Sequence, residues 1–189
     1  MNLMPDFEIG LWNAWLGMLI LLIASNIPIM IRSGAGKRAF DVSFFTQKEN
    51  RVKNLFSAIY FIALIYSIFV PLKPGTIWFY VGLVVFTISL IFYIVAATNF
   101  ATTPPDKPVV KGMYKISRHP IYLFHDIAFL GVCIASASRL LLLLLILYNR
   151  LHHITIKGEE RFCLEKYGNA YRDYMNRTPR YVGIPGGKR

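Results

Sequence analysis

Five long apolar runs constrain the fold of this 189-residue chain more than any other feature. They cover about residues 10–31, 55–72, 78–97, 120–137 and 140–156. About 20 apolar residues are enough for an α-helix to cross the hydrocarbon core of a bilayer. Trp12 and Trp15 lie where the first run begins, as is typical of membrane interfaces. We therefore predict one all-α domain over residues 1–189, a polytopic membrane protein with five transmembrane helices.

The basic residues are concentrated between these runs. The net charge is +11, and 18 of the 21 lysine and arginine residues lie in segments 32–54, 98–119 and 157–189. Five spans put these segments on one side, which the positive-inside rule makes cytosolic. We therefore expect the N-terminus outside and the C-terminus in the cytosol. No lysine or arginine precedes the first run, which predicts a retained span rather than a signal peptide. This distribution favours contact with membrane lipids and does not favour nucleic-acid binding.

The last two runs are predicted to form a helical hairpin that turns near Ser138. Both helices rise equally per residue, so residues whose numbers sum to about 276 lie at the same level. Asp126 is then level with Arg150, and His119 is close to the acidic pair Glu159-Glu160. The tail from 159 to 175 has apolar residues at helical spacing, which predicts an amphipathic cytosolic helix.

The segment Arg118-His119-Pro120 is typical of a helix start that binds an anion. Proline suits the first helical position, and both the helix N-terminus and the two preceding side chains attract negative charge. A simpler interpretation is that Arg118 reaches lipid phosphate, and that Asp126 and Arg150 are only a structural pair. His152 and its neighbour His153 point in different directions on a helix, so only one can line a pocket. No spacing typical of metal ligands occurs.

Four motifs occur together in one order between about residues 109 and 180. They are Gly112-x-Tyr114, Arg118-His119-Pro120-x-Tyr122, Glu159-Glu160 and Tyr167-Gly168-x-x-Tyr171-x-x-Tyr174. Their order and spacing resemble those of the integral-membrane methyltransferase superfamily, which includes isoprenylcysteine carboxyl methyltransferases and phospholipid methyltransferases. The first three runs resemble the superfamily only in being apolar.

The resemblance implies that the methyl donor S-adenosylmethionine binds on the cytosolic side, within about residues 109–180. The cofactor-binding residues that it implies are Lys111, Gly112, Tyr114, Arg118, His119, Pro120, Tyr122, Glu159 and Glu160. The candidates for catalysis are His119, Arg150 and His152. The expected acceptor is a lipidic or small hydrophobic molecule that enters from the bilayer, and O-, S- and N-methylation all stay open.

One departure from the superfamily's pattern bears on the acceptor. Enzymes acting on prenylated cysteine resemble one another in an arginine just before the acidic pair, where this chain has Thr155 and its neighbours. Residues 152–157 resemble small prokaryotic members, which favours a prokaryotic inner membrane over the endoplasmic reticulum. The alternative function is a non-catalytic membrane module or a proton-linked carrier that uses Asp126, Arg150 and the histidines. The first three runs hold no charged side chain, which favours a site at one face. The sequence does not indicate an oligomeric state.

Overall fold

The computed structural model describes residues 9–31 and 41–182, and every regular element in these ranges is helical, as predicted. The elements are α1 (Trp15–Ala24), α2 (Ile27–Ile31), α3 (Gln47–Ser67), α4 (Ile77–Ala101), a short 3-10 helix (Gly112–Lys115), α5 (Pro120–Ala135), α6 (Arg139–Tyr167) and α7 (Asn169–Arg177). The predictions for the residues before the first run, for residues 32–40 of the first basic segment and for the last residues of the tail lie outside the described residues.

Each predicted apolar run contains helix, but these helices differ in length and hydropathy. Within the described ranges, only α4 and α6, with 25 and 29 residues, are long and apolar enough to cross a membrane. The helices α1 and α5 are apolar but have 10 and 16 residues. The prediction of five transmembrane helices is therefore not confirmed.

Helix α3 begins eight residues before the predicted second run. Its start is fixed by a capping box, in which the Thr46 hydroxyl accepts a hydrogen bond from the Glu49 N–H and the Glu49 carboxylate accepts one from the Thr46 N–H. A capping box satisfies two backbone donors that would otherwise be unpaired at a helix start. The polar residues 47–54, predicted to be loop, are thus the first two turns of a helix.

Two other predicted helices are interrupted. In the first run, residues 25 and 26 form a turn between α1 and α2, where the Ser25 hydroxyl and the Asn26 amide both donate to the Leu22 carbonyl. In the tail, Gly168 has φ 55°, a left-handed conformation that glycine adopts without strain. The tail is therefore not one helix from 159 to 175, because α6 continues to Tyr167 and α7 starts after the glycine.

The helices pack mainly as two pairs, α4 with α5 and α3 with α6. Gly82 of α4 and Gly131 of α5 allow the first pair to approach closely, because a Cβ atom at either would meet the backbone of the partner helix. The two legs of the predicted hairpin, α5 and α6, share far fewer contacts. Contacts between α5 and α6 nevertheless lie near the predicted levels, as in His119 with Glu160 and His125 with Tyr148.

This arrangement changes the prediction for Asp126 and Arg150. Arg150 is exposed on α6, and no ion pair joins it to Asp126 within residues 9–31 and 41–182. The carboxylate of Asp126 instead lies 3.2 Å from Nδ1 of its neighbour His125. Asp126 and Arg150 do not pair, because a shared level does not fix the direction of a side chain.

The largest buried side chains, among them Phe129, Met18 and Leu141, join α1, α5 and α6 in one apolar cluster, with partly buried side chains of α3 packed against it. A second cluster, formed by Val109, Tyr114, Tyr171 and Tyr174, packs the tail onto the segment before α5. A cavity lies between the helices at the end where this second cluster is found.

Candidate functional site

The cavity has a volume of about 510 Å³ and is lined by α3, α5, α6, the tail and residues 41–45. Sites for small ligands typically measure about 300–1,000 Å³. Six of the residues predicted from the sequence line it, namely Tyr114, Arg118, His119, Tyr122, His152 and Glu159. Five others, Lys111, Gly112, Pro120, Arg150 and Glu160, do not.

Glu160 gathers three cationic or potentially cationic groups around one buried carboxylate. Its side chain is 4% exposed and lies 3.1 Å from Arg118 Nη1 and 3.2 Å from His119 Nε2. Arg180, from the end of the tail, donates from Nε to both carboxylate oxygens at 3.1 Å, which raises the pKa of the arginine. The sequence predicted that the Arg-His motif and the acidic pair meet, and these distances confirm it.

Glu159, the other member of the acidic pair, turns toward the cavity. It accepts a hydrogen bond of 2.6 Å from the Tyr122 hydroxyl, and its Oε2 lies 3.7 Å from His119 Nδ1. His119 thus lies between two carboxylates, with Glu160 on one side and Glu159 on the other. Because Glu160 is already balanced by arginines, Glu159 is the carboxylate that can meet a ligand's positive charge.

Arg118 is the buried cation at this end of the cavity. Its side chain is 9% exposed, yet within the described part of the chain neither Nε nor Nη1 has a hydrogen-bond acceptor in good geometry. Buried N–H groups of a charged side chain are costly to leave unpaired. Nη1 is in the ion pair with Glu160, so Nε is the nitrogen that fits an anionic ligand group such as a carboxylate.

Helix α5 starts as predicted, with His119 as its N-cap and Pro120 in the first turn. The nearby backbone donors are nevertheless used within the protein. The Arg118 N–H donates to the Pro179 carbonyl at 2.9 Å, and the His119 N–H donates to the Ser117 hydroxyl at 3.1 Å. An anion at this end is therefore met by side chains rather than by these two amides.

The Lys111–Tyr114 segment is held in place by contacts within the protein. Gly112 has φ 58°, and a Cβ there would collide with the side chain of Asn99, whose Oδ1 accepts a hydrogen bond from the Met113 N–H. Lys111 donates through Nζ to the Thr102 hydroxyl at 2.9 Å and is exposed. Tyr114 of this segment lines the cavity, whereas Lys111 and Gly112 hold the loop, and their contact with a cofactor stays a prediction.

The tail tyrosines build an aromatic wall on one side. The Tyr174 hydroxyl donates to the Tyr114 carbonyl at 2.7 Å, and burial raises the pKa of Tyr174. Tyr171 stands beside it, with ring centroids 5.7 Å apart. Tyr114, which the sequence predicts to bind the cofactor, lines the cavity together with Tyr171 and Tyr174.

The inner end of the cavity is also aromatic. The buried His152 ring lies with its centroid 4.3 Å from that of Tyr122, 4.8 Å from Phe56 and 5.3 Å from Tyr148. Its Nδ1 is buried without a hydrogen-bond partner among the described residues. The next residue, His153, points away and contacts the Tyr181 hydroxyl at 2.9 Å, so the two histidines diverge as predicted.

Residues 41–46 cross one side of the cavity, and we call this segment the strap. Phe44 stacks on Phe162 of α6 with centroids 4.3 Å apart. Just beyond the strap, Glu49 accepts hydrogen bonds of 2.8 and 2.9 Å from Arg161, which also donates to the Phe44 carbonyl at 3.2 Å. The strap is thus fastened to α6 one residue beyond Glu160.

Sequence reasoning missed Arg180, Phe44 and Lys53, all of which contribute to the site. The Thr46-x-x-Glu49 spacing is a capping-box signal that could have placed Lys53 on a helix and beside α6. No local pattern around Arg180 indicates its partner, because Glu160 is 20 residues away and the tail must first fold back.

Helices of membrane-spanning length and a cavity that opens between them, charged at one end and aromatic at the other, define a membrane protein with an internal ligand site. The family model described as phospholipid methyltransferase matches residues 74–170, about half of the chain. The chain therefore belongs to the phospholipid methyltransferase family, which implies methyl transfer as its general activity and association with membranes. No curated protein and no solved structure shows significant similarity to it.

Proposed function

We propose that the protein transfers a methyl group from S-adenosylmethionine to a lipidic or small hydrophobic acceptor. The observation that carries this proposal is the charged end of the cavity. There, a buried arginine whose Nε has no partner in the described part of the chain, Arg118, lines the cavity together with a carboxylate that faces it, Glu159. A cavity end with both charges suits a ligand that has a negatively charged group and positively charged groups.

The residues present fit the donor. Its carboxylate matches the unpaired Nε of Arg118, since charge-assisted hydrogen bonds between these groups are among the strongest in proteins. Its ammonium and sulfonium charges match Glu159. Its adenine matches the aromatic wall of Tyr114, Tyr171 and Tyr174. When bound, this donor supplies an electrophilic methyl group.

The chain's own residues would mainly position the reactants and exclude water. The aromatic inner end, formed by Phe56, Tyr148 and His152, offers an apolar surface to the acceptor. An amine or thiol acceptor must lose a proton, and the unpaired Nδ1 of His152 is the group that would accept it. A carboxylate acceptor needs no base. Arg150 has no role here, because it is exposed and does not line the cavity.

Helix length supports a site at the membrane edge. The 29 residues of α6 extend for about 43 Å, whereas the hydrocarbon core is about 30 Å thick. Glu159 and Glu160 lie near the end of α6, beyond the apolar run at 140–156. With the basic segments on the same side, we place the site at the cytosolic face, and by the sequence resemblance in a prokaryotic inner membrane.

Binding of S-adenosylmethionine to the detergent-purified protein, measured by calorimetry, tests the proposal. We expect micromolar affinity for the wild type and at least a tenfold loss for Glu159→Ala. Glu165→Ala, on the same helix but exposed, is the matched control and should bind as the wild type does. Absence of binding at millimolar donor in a folded protein would overturn the proposal, as would equal affinities for the two variants.

The alternative, a non-catalytic membrane module or a proton-linked carrier, is expected to use Asp126, Arg150 and the histidines, with Asp126 and Arg150 level with each other as a pair. Because Arg150 is exposed and Asp126 lies against His125, the described structure offers no such pair. No observation favours the carrier over the methyltransferase.

A further inference from the structure

Helix α3, which precedes the residues that match the family, supplies one wall of the cavity. Lys53, Phe56 and Ser57 all line it. Residues three and four positions apart lie on the same face of a helix. One helical face therefore presents an ammonium, an aromatic ring and a hydroxyl to the cavity.

Contacts between α3 and α6 fix the depth of Lys53. Glu49 pairs with Arg161, Phe56 contacts His152, and the Tyr60 ring lies 6.0 Å from that of Tyr148. These pairs follow one antiparallel register, in which Lys53 is level with about Thr155. Lys53 thus lies between the level of Glu159, at the charged end, and that of His152, at the aromatic end.

Lys53 differs from the other charged side chains that line the cavity. Asp41 accepts hydrogen bonds from Ser43, and Glu159 accepts one from Tyr122. Arg118 has Glu160 as its counter-ion. Lys53 is half-buried but has no hydrogen bond or ion pair with any residue of the described ranges.

The Ser57 hydroxyl, one turn further along α3, likewise has no partner within the described chain. A half-buried ammonium is stabilised by a counter-ion, and a hydroxyl beside it can donate to the same anion. An ammonium and a hydroxyl one turn apart are therefore complementary to a phosphate or carboxylate.

We propose that Lys53 and Ser57 form a subsite for an anionic group of the acceptor, with phosphate as the group to test. This inference rests on the proposed function, because it assigns the ligand of this subsite as the methyl acceptor. An acceptor held there would place its anion between the donor end and the aromatic end. Its apolar part would then contact Phe56 and Tyr148, and the subsite would select amphipathic acceptors over neutral ones.

The test measures binding of dioctanoyl phosphatidic acid to the purified protein in detergent by calorimetry. Dioctanoylglycerol, which lacks the phosphate, and inorganic phosphate serve as comparison ligands. We expect Lys53→Ala to weaken binding of the phosphatidic acid at least tenfold and Lys53→Arg to weaken it less than threefold. Lys48→Ala, an exposed lysine on the same helix, should leave it unchanged.

The comparison ligands identify the source of the anion. If inorganic phosphate binds as tightly as the phosphatidic acid and shows the same dependence on Lys53, the subsite takes a free anion. If only the phosphatidic acid binds with a dependence on Lys53, the subsite takes a lipid headgroup. Equal binding of dioctanoylglycerol, or equal losses for Lys53→Ala and Lys48→Ala, would overturn the proposal.

Donor binding separates this inference from the proposed function. Lys53→Ala should bind S-adenosylmethionine within twofold of the wild type, which also shows that the variant is folded. If the wild type binds no donor but binds phosphatidic acid through Lys53, the methyltransferase proposal fails and the anion subsite stands. If donor binding is intact and the anion has no dependence on Lys53, only the subsite fails.

Discussion

Two ion-pair clusters meet α6 at consecutive residues, and their surroundings differ. Glu160 is 4% exposed and holds Arg118, His119 and Arg180 inside the protein. The next residue, Arg161, has a side chain that is 42% exposed and holds Glu49 near the surface. We call the ion pairs around Glu160 the inner cluster and the pair of Arg161 with Glu49 the outer cluster. The inner cluster organises the charged end of the cavity, and the outer cluster fastens the strap beside it.

The inner cluster should show the larger effect on stability. Glu160→Ala leaves the buried Arg118 without its counter-ion, and removing one partner of a buried pair typically costs about 3–5 kcal/mol. Thermal or denaturant unfolding in detergent measures the loss. Glu165→Ala, an exposed carboxylate on the same helix, should stay within about 0.5 kcal/mol of the wild type. A loss below about 1 kcal/mol for Glu160→Ala would mean that Arg118 finds another partner.

The inner cluster also shows how far the sequence could predict the site. The positions of His119, Glu159 and Glu160 follow from a proline-started helix and a nearby turn, so their meeting was predicted correctly. The same reasoning failed for the pair of Asp126 and Arg150, because a shared level does not fix the direction of a side chain, and Arg150 is exposed while Asp126 lies against His125. In the structure, close glycine contacts bind α5 to α4, and aromatic contacts bind α6 to α3.

For the fold, apolar runs were enough to find the helices but not their ends. The start of α3 depends on side-chain capping by Thr46 and Glu49, and the end of α6 on the left-handed backbone of Gly168. Both lie in polar sequence, where hydropathy carries no signal. The contribution of Arg180 depends on the tail folding back over the cavity, which is a tertiary effect that no local pattern encodes.

The outer cluster should show a smaller effect, confined to the strap. Glu49→Gln removes the charge but keeps the capping box, because glutamine also serves at that position. We expect a loss of about 0.5–1 kcal/mol, as for partly exposed ion pairs, together with faster hydrogen exchange in residues 41–46. Glu165→Gln removes the other carboxylate near Arg161, at 3.9 Å. This substitution should change neither the stability nor the hydrogen exchange of residues 41–46. Equal effects of the two substitutions would show that Arg161 does not fasten the strap through Glu49.

The pH dependence of the outer cluster gives the smallest and most specific effect. Hydrogen bonds from Arg161 lower the pKa of Glu49 from 4.5 to about 2. A carboxyl with a lowered pKa in the folded state stabilises the fold above its unfolded value, and this stabilisation is lost as the pH falls toward the folded value. The difference in melting temperature between the wild type and Glu49→Gln should therefore be constant from pH 8 to about 5 and disappear toward pH 2. Because both proteins keep every other titrating group, a difference as large at pH 2.5 as at pH 5 would show that Glu49 acts through its shape and cap rather than through its charge.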